Sequence, residues 1–382
     1  MQFTIFTLTM TVLWASIFIK LISSLRRQMT VLPYFSIYSL FLLLLLCMLR
    51  IILPVEFPFT AVITSKSVLP LIQKILYTPF FHYGYINLNL AFLIAITWIM
   101  GAIIIILKQI SNYYHFKHLL NFLPASEDKH LYHIFAKTNA CGRLKNAKII
   151  VHNCVPSPTI IGFLHPVIIL PNISFQDDEL LGIFIHECTH YQYKHHLIKL
   201  ITEFICICFW WNPLFKELSS ETTHALEMHS DKVVCSKLTF EQQKKYLYGI
   251  TKVVKNINPL KSVPAFSCSL IREKNGEKLQ QRFKMILESG YQSKRKFNPT
   301  LISFVLSIFL LSYAFVFQPF SEPALTDLGE MDKTNANFYF IEVSEGYDLY
   351  DGENQFITHM IDIDDSLKGL KIYKNAEEIE EK

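Results

Sequence analysis

The chain has 382 residues, of which 51% are hydrophobic and only 18% charged, with a formal net charge of +4. That balance belongs to a membrane protein with a substantial soluble part, and it excludes the basic stripe through which a protein binds nucleic acid directly. The small net charge hides a split: residues 109–300 carry 24 Lys and Arg against 15 Asp and Glu, whereas the tail after Phe317 carries 5 against 16.

A helix needs roughly 20 apolar residues to cross a bilayer. Four segments are expected to do so: Thr4–Ile22, Tyr34–Leu53, Leu88–Leu107 and Leu301–Phe317. The first has no basic n-region and no small-residue cleavage site, so it reads as a retained anchor. Arg50 lies near the end of the second span, where its side chain can snorkel. Lys and Arg concentrate in cytoplasmic segments next to spans. Lys20, Arg26 and Arg27, then Lys108 and Lys117, then Lys294, Arg295 and Lys296 therefore place residues 23–33 and 109–300 inside. The N-terminus and the acidic tail 318–382 fall outside, in a bacterial cytoplasmic membrane. Cys47 lies in a span and the other seven cysteines lie in 109–300, which fits reduced thiols in a cytosolic domain. The expected divisions are three spans over 1–108 with an outer loop at 54–87, a cytoplasmic domain over 109–300, a fourth span at 301–317 and the tail.

Within the cytoplasmic region, helices are expected at about 109–122 and 126–139, followed by a strand over Lys148–His152. Two β-branched runs around Gly162 and Pro166, ending at Pro171, read as a hairpin or a pair of edge strands. An extended substrate could pair with such an edge. Ile160, Ile161, Gly162 and Phe163 are the residues that would meet it, the alternative being that these strands only cover the next helix.

That helix begins at Ser174, read as an N-cap, with Asp177 three residues on. It carries His186-Glu187-Cys188-Thr189-His190. Residues four apart share a helical face, so His186 and His190 can direct two imidazole nitrogens at one point, with Glu187 beside it. This is the H-E-x-x-H arrangement of zinc hydrolases: two ligands, and a general base that takes a proton from water. Downstream, Glu227 and Asp231 also stand four apart on one helix. Glu227 is a natural third Zn2+ ligand, and Asp231 can hold the second nitrogen of a ligand histidine. Between them, Leu197–Phe215 reads as a buried or membrane-hugging helix, and Cys206-x-Cys208 as a weaker candidate metal pair. Helices are expected at about 240–256 and 272–288, a loop at 262–269, and a small β-hairpin in the tail at Phe338–Val343 and Tyr347–Ile357.

Taken together these features resemble the BlaR/MecR family of membrane zinc peptidases. The likeness rests on three spans before the zinc motif and one after it, and on Ser157-Pro158 leading to Gly162-Phe163-Leu164-His165-Pro166. It rests further on His186-Glu187-x-x-His190, and on Trp211-Asn212-Pro213-Leu214 followed by Glu227-x-x-x-Asp231. The resemblance implies an α+β, zincin-like cytoplasmic domain on a four-helix membrane part. It makes His186, His190 and Glu227 the zinc ligands and Glu187 the catalytic base. Protein substrates are implied, namely the chain itself in its cytoplasmic domain and a winged-helix repressor whose loss follows, with a homodimer as one option for the assembly. One departure stands out. The sensors of this family carry a penicillin-binding domain with Ser-x-x-Lys after the last span, and the 65 residues after Phe317 contain no such motif. Ser126-x-x-Lys129 and Ser293-x-x-Lys296 both fall in the cytoplasmic region. A housekeeping membrane protease of the HtpX type and a receptor that uses zinc only to hold its fold are the competing readings. His224, His229 and Arg282 are the candidates for stabilising the oxyanion.

Overall fold

The computed structural model describes residues 5–28, 37–54, 57, 59–83, 86–138, 142–153, 155–162, 165–256, 268–269, 276–288, 299–319, 338–343, 346–350, 356–360 and 370–373. Its helices are α1 (Ile5–Gln28), α2 (Ile37–Ile52), α3 (Val68–Tyr77), α4 (Leu90–Phe122), α5 (Lys129–Ala136), α6 (Asp177–Gln192), α7 (His195–Cys208), α8 (Pro213–Lys237), α9 (Phe240–Lys255), α10 (Gly276–Leu287) and α11 (Pro299–Leu311). The strands are β1 (Ala61–Ser65), β2 (Phe81–Tyr83), β3 (Ile86–Leu88), β4 (Lys148–Val151), β5 (Thr159–Ile161), β6 (Val167–Leu170), β7 (Cys268–Ser269), β8 (Phe315–Pro319), β9 (Tyr339–Val343), β10 (Gly346–Tyr350), β11 (Phe356–Met360) and β12 (Lys371–Tyr373). The protein is thus mostly helical, with small sheets. It divides into two compact units, one of residues 1–62 and 79–316, the other of 63–78 and 317–382.

Among the described residues, two helices are long and apolar enough to cross a membrane, α1 and α4. Helix α4 has 33 residues and runs unbroken from the apolar Leu90–Leu107 stretch through the segment expected as a separate helix at 109–122. At 1.5 Å per residue it is ~50 Å long, so it reaches well beyond any bilayer core. The second and fourth expected spans form shorter helices, 16 residues in α2 and 13 in α11. Helix α11 stops at Leu311, before the expected Phe317, because the next carbonyl groups find partners elsewhere. Ala61 donates its N–H to the Ala314 oxygen, and the Thr60 hydroxyl donates to the Tyr313 oxygen.

One core of this unit joins α1 and α2 to the helices behind the site. Phe18, Ile19 and Ile22 of α1 and Leu40 and Leu43 of α2 are fully buried with Phe215, Leu218 and Ala225 of α8. Helix α8 therefore packs against the N-terminal helices on one side, as it does against α6 and α7 on the others. A second core lies between α6, α9 and a four-stranded sheet of order β4-β6-β5-β7. In it β4 runs parallel to β6, while β5 is antiparallel to both β6 and β7. The expected edge strand β5 is therefore covered on both sides, because Thr159 and Ile160 pair with Ser269 and Cys268 from the end of the expected 262–269 loop. Residues 262–267 of that loop and Phe163 lie outside the described residues.

Helix α6 starts from Gln176, not from Ser174. The Gln176 N–H donates to the Glu179 carboxylate at 2.9 Å, which makes a capping box two residues later than the sequence suggests. Pro213 occupies the first turn of α8, and Asn212 caps it by accepting from the Leu214 N–H at 3.0 Å. In the second unit, β9 and β10 form the expected hairpin, to which β11 adds antiparallel and β12 parallel, with Phe340 and Leu349 buried.

Candidate metal centre

The turn-by-turn spacing in α6 and α8 becomes a single point in space. One donor atom each from His186, His190 and Glu227 lies within 4.8 Å of the others, and all three residues are buried. His186 Nε2 is 3.2 Å from a Glu227 oxygen and 3.0 Å from His190 Nε2, and His190 Nε2 is 3.6 Å from the other Glu227 oxygen. Two imidazole nitrogens and one carboxylate form the donor set of an open, three-ligand divalent site. Burial without satisfaction says the same. Glu227 Oε1 and both Glu187 carboxylate oxygens are enclosed yet accept no hydrogen bond. Enclosed polar atoms are normally paired. A cation held by the three donors and a water beside Glu187 would satisfy these.

The second nitrogens are fixed as well. His186 Nδ1 lies 3.1 Å from Asp231 Oδ1 and 2.8 Å from the Tyr246 hydroxyl, which itself donates to Asp231 Oδ1 at 2.8 Å. The phenol's single proton goes to Asp231, so His186 Nδ1 must be the protonated nitrogen facing this pair, which leaves Nε2 toward the donor cluster. Arg282 grips Asp231 with two bonds, Nε at 2.7 Å and Nη2 at 3.0 Å, and its Nη1 stands 3.4 Å from Glu227. His190 Nδ1 faces His195 Nδ1 at 2.9 Å, and His196 Nε2 reaches the Ile160 carbonyl at 3.0 Å, tying α7 to β5.

The electrostatics separate these roles. Burial pushes Glu187 up to about 8, with the Glu227 charge adding to the rise and His186 opposing it. A carboxyl poised near neutrality suits a group that must take and return a proton. Burial opposes the charge on His186, but hydrogen bonds to Asp231 and Glu227 outweigh it and raise His186 to about 9, so cation binding at Nε2 would displace a proton there. His190 is held well below the usual histidine range, first by burial and then by His186, and burial drives His195 down to about 2. Both are neutral rings. Burial also opposes the Asp231 charge, but Arg282 and His186 overcome it and lower its pKa.

The structure gathers His186, Glu187, His190, Glu227 and Asp231 into one site. Ile160 and Ile161 sit in the covered strand β5. Gly162 turns the chain at φ +99, where a Cβ would lie 2.4 Å from the His165 carbonyl oxygen. Of the oxyanion candidates, Arg282 is committed to Asp231. His224 bonds Gln281 at 3.1 Å away from the donor cluster, and His229 packs edge-on to Tyr193 and His195. Cys206 donates to the Phe215 carbonyl, and no described metal-ligating group includes it or Cys208.

Reasoning from sequence missed Tyr246, Arg282 as a clamp, His195 and Lys199. For Lys199 the helix itself is readable from the sequence, but the inversion of its faces is a structural finding. In α7 the buried positions are His195, His196, Lys199, Thr202, Ile205 and Ile207, whereas Leu197, Leu200, Ile201 and Phe204 are exposed. That polarity reverses the ordinary amphipathic helix. Gly182 supports Tyr246 by absence. A Cβ there would meet the Tyr246 ring at 2.6 Å, and that ring is fully buried. Gly182→Ala is therefore expected to destabilise by about 1–3 kcal/mol and to weaken metal retention. A thermal melt and metal content measured on the same preparation would check this.

A helix-borne H-E-x-x-H completed by a carboxylate from a second helix defines a metallopeptidase class of site. Residues 6–286 match the family model described as BlaR1 peptidase M56, and the chain belongs to that family. It is also 27% identical over 178 residues to "Regulatory protein BlaR1" of Bacillus licheniformis. That alignment covers 45% of this chain and 30% of the relative's length.

Proposed function

We propose that this protein is an integral-membrane zinc endopeptidase that transduces a signal by cutting itself and by bringing about the loss of a cytoplasmic repressor. The observation that carries the reading is the convergence of His186, His190 and Glu227 beside the enclosed, unpartnered carboxylate of Glu187. His186, His190 and Glu227 would hold the zinc, which when bound polarises a peptide carbonyl and lowers the pKa of water. Glu187 takes the proton of the attacking water and returns it to the leaving nitrogen. Asp231 and Tyr246 hold His186 in its tautomer, as partners of ligand histidines do elsewhere.

The β7 pairing supports self-cleavage. Cys268 and Ser269 lie antiparallel on β5, in the register an extended peptide would use there. The chain already occupies that edge, so residues 262–269 are the first candidate for the scissile segment, with Ile160 and Ile161 as their backbone partners. A winged-helix repressor as second substrate is what the resemblance to the BlaR/MecR family implies, and no direct contact with nucleic acid is required. The membrane reading is supported by α1, by the exposed apolar faces of α4 and α11, and by the outward apolar face of α7. Four spans, with the peptidase domain inside and the N-terminus and acidic tail outside, follow from the Lys and Arg distribution.

Removal of the metal tests this directly. Purified protein in detergent is expected to fragment within 262–269 when zinc-loaded, to stop after treatment with 1,10-phenanthroline, and to resume when zinc is restored. Fragments that form at the same rate with chelator present would end the peptidase reading.

A further inference from the structure

Among the described residues one Lys and one Arg side chain lie within 4 Å of Glu227, and they differ in commitment. Arg282 has two short bonds to Asp231 and stands 3.4 Å from Glu227. Lys199, on α7, is only 3% exposed; its Nζ lies 3.7 Å from Glu227 Oε1 and donates no hydrogen bond. It shares the buried polar face of α7 with His195 and His196, which touch His190 and the Ile160 carbonyl. After burial, its charge is among the influences lowering His190, His195 and His196, and it also acts against the rise of Glu187. The ammonium thus lies beside the Glu227 carboxylate without donating a hydrogen bond to it.

A buried ammonium without a bonded anion is costly. The Glu227 carboxylate stands 3.7 Å from it. A divalent cation held by Glu227 would draw that charge away and leave the ammonium beside the centre with three donor protons that no hydrogen bond uses. We infer that Lys199 is the catalytic residue that stabilises the oxyanion, its ammonium meeting the carbonyl oxygen of the scissile peptide. This rests on the peptidase reading above. In the addition step the water oxygen bonds to the carbonyl carbon, the π pair moves onto the carbonyl oxygen beside Lys199, and Glu187 takes the proton. Collapse re-forms the carbonyl and breaks the C–N bond, and Glu187 delivers the proton to nitrogen. The contribution of Lys199 is greatest where the oxygen is most negative.

The test uses full-length, zinc-loaded protein in detergent with two probes copying residues 263–269. One is the plain peptide, and the other carries a phosphinic group as a tetrahedral anion in place of a peptide bond. Wild type is expected to prefer the phosphinic probe. Lys199→Met is expected to lose ~100-fold in affinity for it, and a similar factor in self-cleavage rate, while binding the plain peptide as before. Its zinc content should be equal or higher, since a positive charge beside the metal is gone. Lys199→Arg keeps the charge and should hold the preference within about tenfold. Several results would overturn the assignment: no phosphinic preference in wild type, an undiminished preference in Lys199→Met, or zinc loss in that variant, which would make Lys199 a structural partner of Glu227. If Lys199→Met does not fold, loss of the preference in a folded Lys199→Arg protein has the same force. Glu187→Gln, run in parallel, separates the two levels. Unchanged self-cleavage in that variant sinks the peptidase reading itself, whatever Lys199 does.

Discussion

Glu187→Gln is expected to retain zinc at the wild-type level and to lower self-cleavage by about 10²–10⁴-fold, the usual contribution of a positioned general base. Glutamine keeps the length and planar end of the side chain but cannot accept the proton that attack by water releases. The same variant should be at least as stable as the parent. Glu187 is fully enclosed with both oxygens unbonded, and enclosure already raises its pKa to about 8. At neutral pH folding must hold on that carboxyl a proton the unfolded chain would release, and a neutral amide removes this cost, so the direction of the stability change is upward. Opposite signs for activity and stability are the signature of a residue kept for chemistry at a cost to the fold. Blots for fragments, atomic absorption for zinc and a thermal melt on one preparation measure all three. A variant that melts lower and loses zinc would show instead that Glu187 is structural.

That contrast also separates what the sequence could disclose from what it could not. His186 with His190, and Glu227 with Asp231, are visible because four residues is one helical turn, so linear spacing converts directly into a shared face. That the two faces converge, with the donor atoms within 4.8 Å, depends on how α8 packs. That packing involves α6, α7 and α10 as well as Phe18, Ile19 and Ile22 of α1, more than 150 residues upstream. No spacing rule links Tyr246 to His186, 60 residues away, or Arg282 to Asp231, 51 away. Those contacts belong to tertiary structure alone. Lys199 lies between these cases, since its helix is readable but the inversion of its faces appears only once exposure is known.

The misreadings have equally specific causes. Ser174 is a good cap by type, but Glu179 can reach back only to the Gln176 N–H, and that reciprocal bond sets the start of α6. The 109–122 segment has no breaker before it, so α4 simply continues through Lys108. Strand β5 looks like an edge because its partner β7 is two residues long, 107 residues later, and carries no strand pattern of its own.

Arg282→Met should produce the largest loss of stability, about 3–5 kcal/mol, the usual cost of removing one member of a buried ion pair. Asp231 is 0% exposed and receives two of its hydrogen bonds from Arg282, so truncation leaves a buried carboxylate held by Tyr246 and His186 alone. Its usual release, protonation, would cost His186 an acceptor, so zinc retention should fall with stability. Arg282→Lys should recover only part, because one ammonium cannot reproduce the two-pronged grip. The informative variant is the double one. Asp231→Asn removes the stranded charge while keeping an oxygen for His186, so Arg282→Met with Asp231→Asn should cost clearly less than the two single changes added together. Denaturant melts of the four proteins in detergent give the coupling. Simple additivity would mean that Arg282 acts elsewhere, and its neighbour on α10 shows where. Gln281 accepts from Arg26 of α1 at 3.1 Å, and Arg26 is in turn bound to Glu221 of α8 at 2.7 Å. Helix α10 is therefore anchored twice, at the C-terminal end of the first apolar helix and at the metal centre. If the cycle shows strong coupling at Asp231, the site end of α10 is held by that charge pair, and a shift of α1 has a mechanical route to the ligands through two adjacent residues, Gln281 and Arg282.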